Sequence, residues 1–198
     1  MNRNTSKLFV LIFIFIILCT VSFSDNTDPQ SEIKTRTFLT DFISNQYRIT
    51  TGSDLSVSRL YDIVDAIILS ADTFGVSPLL IAAIIDTETN FRNIIGPLGE
   101  LGYMQVRPGT AAYVVEKYKS NFETLGYGNS DKSWIEKRLL TDTNYNILIG
   151  TAYVKYLMGN YSDDIYKAIG WYNGGGNEIY ARKIIYKLAE ISANYPTI

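Results

Sequence analysis

The sequence predicts a mainly α fold in a single domain, and three observations carry that prediction. Apolar residues recur at three- and four-residue spacing from Leu60 to Ala71. Residues 79–85 form an unbroken apolar run bounded by helix start and stop signals. No run of alternating apolar and polar residues marks a strand. At 198 residues, of which 46% are hydrophobic, the chain can bury a sizeable core.

The elements are justified in chain order. Residues 1–7 carry Arg3 and Lys7, and residues 8–19 are one apolar run of twelve. Ser22-Phe23-Ser24 follows as a small-x-small pattern, so residues 1–24 read as a secretory signal peptide cut after Ser24. Two other fates compete with cleavage. The run 8–19 could stay as a signal anchor, a membrane tether, although it is short beside the roughly 20 residues of a spanning helix. Cys19 invites a lipoprotein reading, against which bulky Leu18 argues. All three send the chain out of the cytoplasm, to the periplasm or cell envelope.

Residues 25–31 read as a polar linker and 32–46 as a weak helix, so 25–55 is expected to be a linker with a helical extension and 56–198 the folded domain. In the weak helix the apolar positions are Ile33, Phe38, Leu39, Phe42 and Ile43. From residue 56, Leu60, Ile63, Val64, Ile67, Ile68 and Ala71 line one helix face, and Gly75 is placed to end it. Ser77-Pro78 supplies an N-cap and a first-turn proline for the next helix, whose run Leu79–Ile85 is apolar on every side and therefore buried all round. Residues 92–109, with four glycines and two prolines, must be a loop or a loop with a short hairpin. Helices resume at 110–119, 133–140, 144–159, 163–172 and 177–193, the last two parted by three glycines at 174–176.

Absences narrow the chemistry. There is no histidine, which removes Ser-His-Asp and Cys-His catalysis and His-ligated metals. The one cysteine lies in the leader, so the domain has neither disulfide nor thiol nucleophile. Of 18 basic residues, Arg3 and Lys7 leave with the leader, so 16 face 20 acids; with no basic stripe, nothing marks a nucleic-acid binder. Neither a metal nor a cofactor is expected. The 15 tyrosines suit either carbohydrate stacking or a tyrosine-rich core.

Glu88 is the candidate catalytic group. It ends the buried helix and shares a face with Ile81, Ile84 and Ile85. Desolvation there favours the protonated form, which a general acid needs. Asp86, two residues away, is rotated by about 200° and cannot share one cavity with Glu88. No carboxylate adjacent in sequence supplies the second acid that most glycosidases use; Glu100, Asp142, Asp163 and Asp164 are candidates for that place.

Four segments in order resemble the Slt-type lytic transglycosylases, family 1 of those enzymes, which share the lysozyme-like fold. They are Phe74–Phe91, ending Glu88-Thr89-Asn90-Phe91; Gly96–Gln105 with Arg107-Pro108-Gly109-Thr110-Ala111; Asp142 with Asn146-Ile147, Gly150, Tyr153 and Leu157; and Ala168–Gly175. The resemblance implies a lysozyme-like domain with a Gly-rich loop or short hairpin at its cleft. It makes Glu88 the catalytic acid and base, and peptidoglycan glycan strands the partner. Gln105 falls on a substrate-contacting glutamine, and Tyr172 on a tyrosine that reaches the glutamate and the substrate. Asn173, Met104, Tyr103 and Thr89 complete the implied substrate site. Cleavage of the MurNAc-GlcNAc β-1,4 bond would end in a 1,6-anhydro sugar. A hydrolytic muramidase or a non-catalytic wall-binding or assembly protein on the same fold are the alternatives.

The chain departs from the family pattern. Gly96 replaces a serine that would hydrogen-bond the glutamate. Glu100 and Trp171 replace small residues, Tyr103 a leucine, Arg107 a methionine beside the cleft, and Thr89 a serine.

Overall fold

The computed structural model describes residues 29–195 apart from residue 163. The leader 1–24, Cys19 and Asp163 lie outside the described residues. Nine helices are present among the described residues: α1 (Pro29–Thr51), α2 (Val57–Phe74), α3 (Pro78–Thr89), α4 (Pro108–Lys117), α5 (Lys119–Thr124), α6 (Lys132–Thr141), α7 (Thr143–Asn160), α8 (Ile165–Tyr172) and α9 (Glu178–Asn194). No strand is present among the described residues; the pairs Ile95–Leu101 and Leu101–Val106 are isolated antiparallel bridges that pin the glycine-rich loop. The fold is mainly α, as the periodicity predicts. No helix among the described residues is long and apolar enough to cross a membrane.

The largest helix interface joins α2 and α7. On α2, Leu60, Ile63, Val64, Ile67, Ile68 and Ala71 are all buried, and the Ser56 hydroxyl caps the N-terminus by accepting from Arg59 N. Gly75 ends the helix at φ 62°, a left-handed turn in which a side chain would be strained. On α7, buried residues run from Tyr145 through Ala152 without a break, so this helix is wrapped by neighbours on every side. Helix α4 packs on α7 and α6, α9 packs on α3 and α8, and α1 lies against α2 and α3.

Helix α1 corrects two readings. It begins at Pro29, so residues 29–31 are helical and not linker; proline suits a first turn, where an N–H has no partner to lose. Its buried line is Thr35, Leu39 and Ile43, at four-residue spacing. Ile33, two residues from Thr35, is thereby turned outward and is 62% exposed. The short helix α5 was not foreseen; one residue, Phe122, anchors it, packing 5.8 Å from Phe74 between ring centres.

The glycine-rich loop is fastened to α7 by a fully buried asparagine. Asn146 Oδ1 accepts from Met104 N at 2.9 Å, and its Nδ2 donates to Leu101 O at 2.9 Å and Leu139 O at 3.0 Å. Two glycines make room for this contact. A Cβ on Gly102, at φ 78°, would stand 2.1 Å from Asn146 Nδ2 and 2.6 Å from Leu139 O. A Cβ on Gly150 would stand 2.4 Å from Met104 Sδ.

Asn146→Ala strands the buried Met104 N–H and takes a donor from Leu139 O and from Leu101 O, the last of which keeps Val106 N. Its expected cost is about 2–4 kcal/mol, read as a lower urea midpoint with unchanged slope. A midpoint equal to that of the parent protein would show that the loop is held by other contacts.

Candidate active site

Helix α3 starts as the sequence suggests, with Pro78 in its first turn, although the Ser77 hydroxyl at the N-cap makes no capping hydrogen bond. Ile81, Ala82, Ala83, Ile84 and Ile85 are 0% exposed. The helix stops at Asn90, φ 49°, whose N–H closes on Asp86 O at 3.0 Å. Phe91 follows at φ 58°, an uncommon conformation for a bulky residue. Such strain costs on the order of 1–3 kcal/mol and persists only where surroundings enforce it. Here the Phe91 ring is fully buried and meets Phe42 edge-on at 6.0 Å.

This geometry leaves the Glu88 side chain partly buried at the last turn of α3. Tyr180, on the first turn of α9, donates its hydroxyl to Glu88 Oε1 at 2.5 Å. Burial raises the Glu88 carboxyl above its ordinary range, and the negative charge of Glu100 adds to that; the Tyr180 hydrogen bond and the Lys183 ammonium pull the other way. The carbonyl end of α3 also disfavours an anion there. Tyr180 itself is pushed well up by burial and by Glu88, so it remains a donor.

Asp86 has a different fate. It is 2% exposed and ion-pairs with Lys187 Nζ at 3.1 Å, and the Asn90 side chain also donates to it. The 200° separation of the two acids is thus realised as one partly buried carboxyl bonded to Tyr180 and one buried structural pair. Among the other candidate carboxylates, Asp142 caps α7 and pairs with Arg138 at 2.8 Å, and Asp164 caps α8. Glu100 acts on Glu88 through its charge, but its own carboxylate is tied up. Oε1 takes Arg107 Nε at 3.0 Å and Nη2 at 2.8 Å, and Oε2 takes Leu98 N at 3.0 Å.

The residues assigned to substrate contact divide into two groups. Thr89, Tyr103 and Met104 are 1%, 2% and 0% exposed, so their side chains face the interior. The Thr89 hydroxyl donates to Ile85 O and Tyr103 O, and so joins α3 to the loop. The Met104 side chain fills the space beside Gly150. Of the three polar residues in the same region, Gln105 and Tyr172 are partly buried and Asn173 is exposed. Gln105, at φ 49°, donates from Nε2 to Ile94 O at 3.1 Å and Gly102 O at 2.8 Å, bracing the loop from within. Asn173 is exposed and accepts from Asn177 Nδ2 across the glycine turn. Tyr172 donates to Met104 O at 2.8 Å, and not to Glu88.

Tyr172 was expected to reach the glutamate; Tyr180 does so instead. Burial and the nearby Glu88 charge push Tyr172 well above the usual tyrosine range, so it lies beside the carboxyl without bonding to it. Gly96 explains the lost serine: a Cβ there would stand 2.3 Å from Gln105 Oε1 and 2.7 Å from Glu100 Oε2. Those two side chains occupy the room a serine would need.

Tyr180 and Lys183 are the residues that sequence reasoning missed. Tyr180 lies 92 positions from Glu88. The available signal was that Tyr180, Lys183 and Lys187 fall on one face of a helix beginning just after the triple glycine. A surface groove between α1 and α9, lined by Phe38, Asp41, Phe42, Asn45, Glu190 and Asn194 among others, contains none of the site residues.

The raised Glu88 value has a consequence for stability. A carboxyl whose value is higher in the folded state favours folding most below the ordinary glutamate range. That advantage is lost as pH rises through the raised value. Glu88→Gln keeps an acceptor for Tyr180 and cannot ionise. Its melting temperature should match the parent protein in acid and exceed it by a few degrees at neutral and alkaline pH. Melts recorded across pH that stay superimposed would contradict the desolvation argument.

Residues 65–192, which include Glu88, Gln105, Tyr172 and Tyr180, match the model of the family described as Transglycosylase SLT domain.

Proposed function

We propose, from the premise that this chain belongs to the transglycosylase SLT domain family, that it is a peptidoglycan lytic transglycosylase with Glu88 as its single catalytic acid and base. Membership makes the domain lysozyme-like and of the type that acts on peptidoglycan. The finer reaction rests on one observation: a desolvated carboxyl with one oxygen held by the Tyr180 hydroxyl.

The chemistry follows from that arrangement. Protonated Glu88 gives its proton to the glycosidic oxygen as the C1–O bond breaks through an oxocarbenium-like state. The carboxylate so formed then takes the proton of the muramic acid 6-hydroxyl, whose oxygen bonds to C1. The products are a free 4-hydroxyl end and a 1,6-anhydro end, and Glu88 is protonated again. Because the attacking oxygen belongs to the substrate, no second carboxylate is required, and the step has the advantage of an intramolecular reaction. Tyr180, kept protonated by burial, steadies the carboxylate stage. In this reading exposed Asn173 touches sugar, while Gln105 and Tyr172 hold the loop backbone that frames the cleft. The substrate lies outside the cytoplasm, so the proposal includes export to the periplasm or envelope.

Mass spectra of digested peptidoglycan test the reaction. Muropeptides lacking one water are expected; reducing ends alone would mean that water is the attacker and the enzyme a muramidase. Glu88→Gln should lower the cleavage rate by roughly a thousandfold. Retained cleavage would refute the role, and wall binding without cleavage in the parent would favour an assembly protein.

The pH profile offers a second test. Activity needs the protonated carboxyl, so it should fall as pH rises through the raised Glu88 value. Tyr180→Phe removes a contact that lowers that value, so the fall should move to higher pH, with a smaller rate overall. An unmoved profile would exclude Tyr180 as the group that tunes the acid.

A further inference from the structure

Beyond Glu88, the face formed by α4, α7 and α8 carries a connected row of tyrosine rings. Tyr172 lies beside Glu88 and anchors the row by its hydrogen bond to Met104 O. Its ring meets Tyr153 at 5.4 Å between centres, and Tyr153 lies nearly parallel to Tyr156, one turn along α7, at 6.3 Å and 16°. Tyr156 meets Tyr113 of α4 edge-on at 5.1 Å. Tyr113 is 49% exposed, and Tyr153, Tyr156 and Tyr172 keep partial exposure. Beside the row, Trp171, 44% exposed, stacks on Tyr161 at 6.0 Å and 17°.

We propose that Tyr172, Tyr153, Tyr156 and Tyr113 form a stacking track that carries an uncharged glycan strand away from Glu88, with Trp171 as a flanking platform.

A packed core would bury these rings; half-exposed aromatic rings in contact with one another and with a catalytic centre form an apolar surface with polar edges. Pyranose rings have the matching character, with C–H faces and hydroxyl rims. Charge also bears on the partner class: Lys117 lies 6.0 Å from the Tyr156 ring, and the sequence carries no basic stripe of the kind that binds a polyanion. The row is continuous with the site because α4 starts at Pro108, directly after the loop that holds Gln105. The inference rests on reading Glu88 as the point of glycan cleavage, and extends that site to one side.

The test uses the full chain carrying Glu88→Gln, with β-1,4-linked N-acetylglucosamine oligomers of increasing length as probes in calorimetric titrations. Affinity should climb with length. Adding Tyr113→Ala should weaken the longest oligomers roughly fivefold and spare the shortest, as expected for loss of one aromatic anchor. Tyr113→Phe, which keeps the ring, should retain length dependence. Tyr186→Ala, at a 74% exposed position on α9, should change nothing. Affinity that ignores length, or affinity for the longest oligomers that is unchanged by Tyr113→Ala, overturns the track. Cleavage by the Glu88→Gln protein would instead overturn the reading of Glu88 and leave the binding comparison intact.

Discussion

One constraint organises this molecule: a carboxyl is held at the end of a helix whose other sides are already buried. Helix α3 gives five consecutive side chains wholly to the core, and Glu88 is what remains at its rim. Its charge is opposed by burial and by Glu100, and relieved by Tyr180 and Lys183. The balance leans toward the protonated form. That is poor for stability at neutral pH and suited to proton donation. The strained pair Asn90 and Phe91 follows from the same constraint, since the chain must leave the buried helix abruptly to reach the loop.

Helix α9 completes the arrangement. Tyr180 and Lys187 stand two turns apart on its one face, and they engage Glu88 and Asp86 of α3. A buried ion pair of this kind is weak evidence of net stability, because desolvation offsets most of its attraction. Removing Lys187 alone would strand a buried aspartate, so the pair ties the docking of α9 to the placement of Tyr180. On the other side, Asn146 fixes the loop backbone, Thr89 ties that loop to α3, and Tyr172 braces it through Met104 O. Residues expected to touch sugar thus spend their polar atoms positioning the loop.

The helices were legible because burial of one face imposes a period that survives in the sequence. Six apolar positions of α2 and the all-round apolar run of α3 are buried as read. Helix α1 was less legible. Its buried line includes Thr35, whose hydroxyl is satisfied by Ser31 O and by Tyr195, 160 positions away. The polar linker reading failed at Pro29 because composition does not reveal a helix that docks by a few contacts. The inward orientation of the Thr89, Tyr103 and Met104 side chains was not legible, because adjacency to a site in sequence says nothing about which way a side chain turns.

The sequence by itself determined the mainly α class, the buried helix ending in Glu88, the glycine-rich loop and the family to which the chain belongs. These follow from local periodicity, turn chemistry and ordered motifs, all written within short stretches. Tertiary structure alone decided that Tyr180 rather than Tyr172 meets Glu88, that Asp86 pairs with Lys187, and that Glu100 and Gln105 fill the space above Gly96. Those outcomes depend on how helices distant in sequence dock, where differences of an ångström decide which hydroxyl or ammonium reaches a carboxyl.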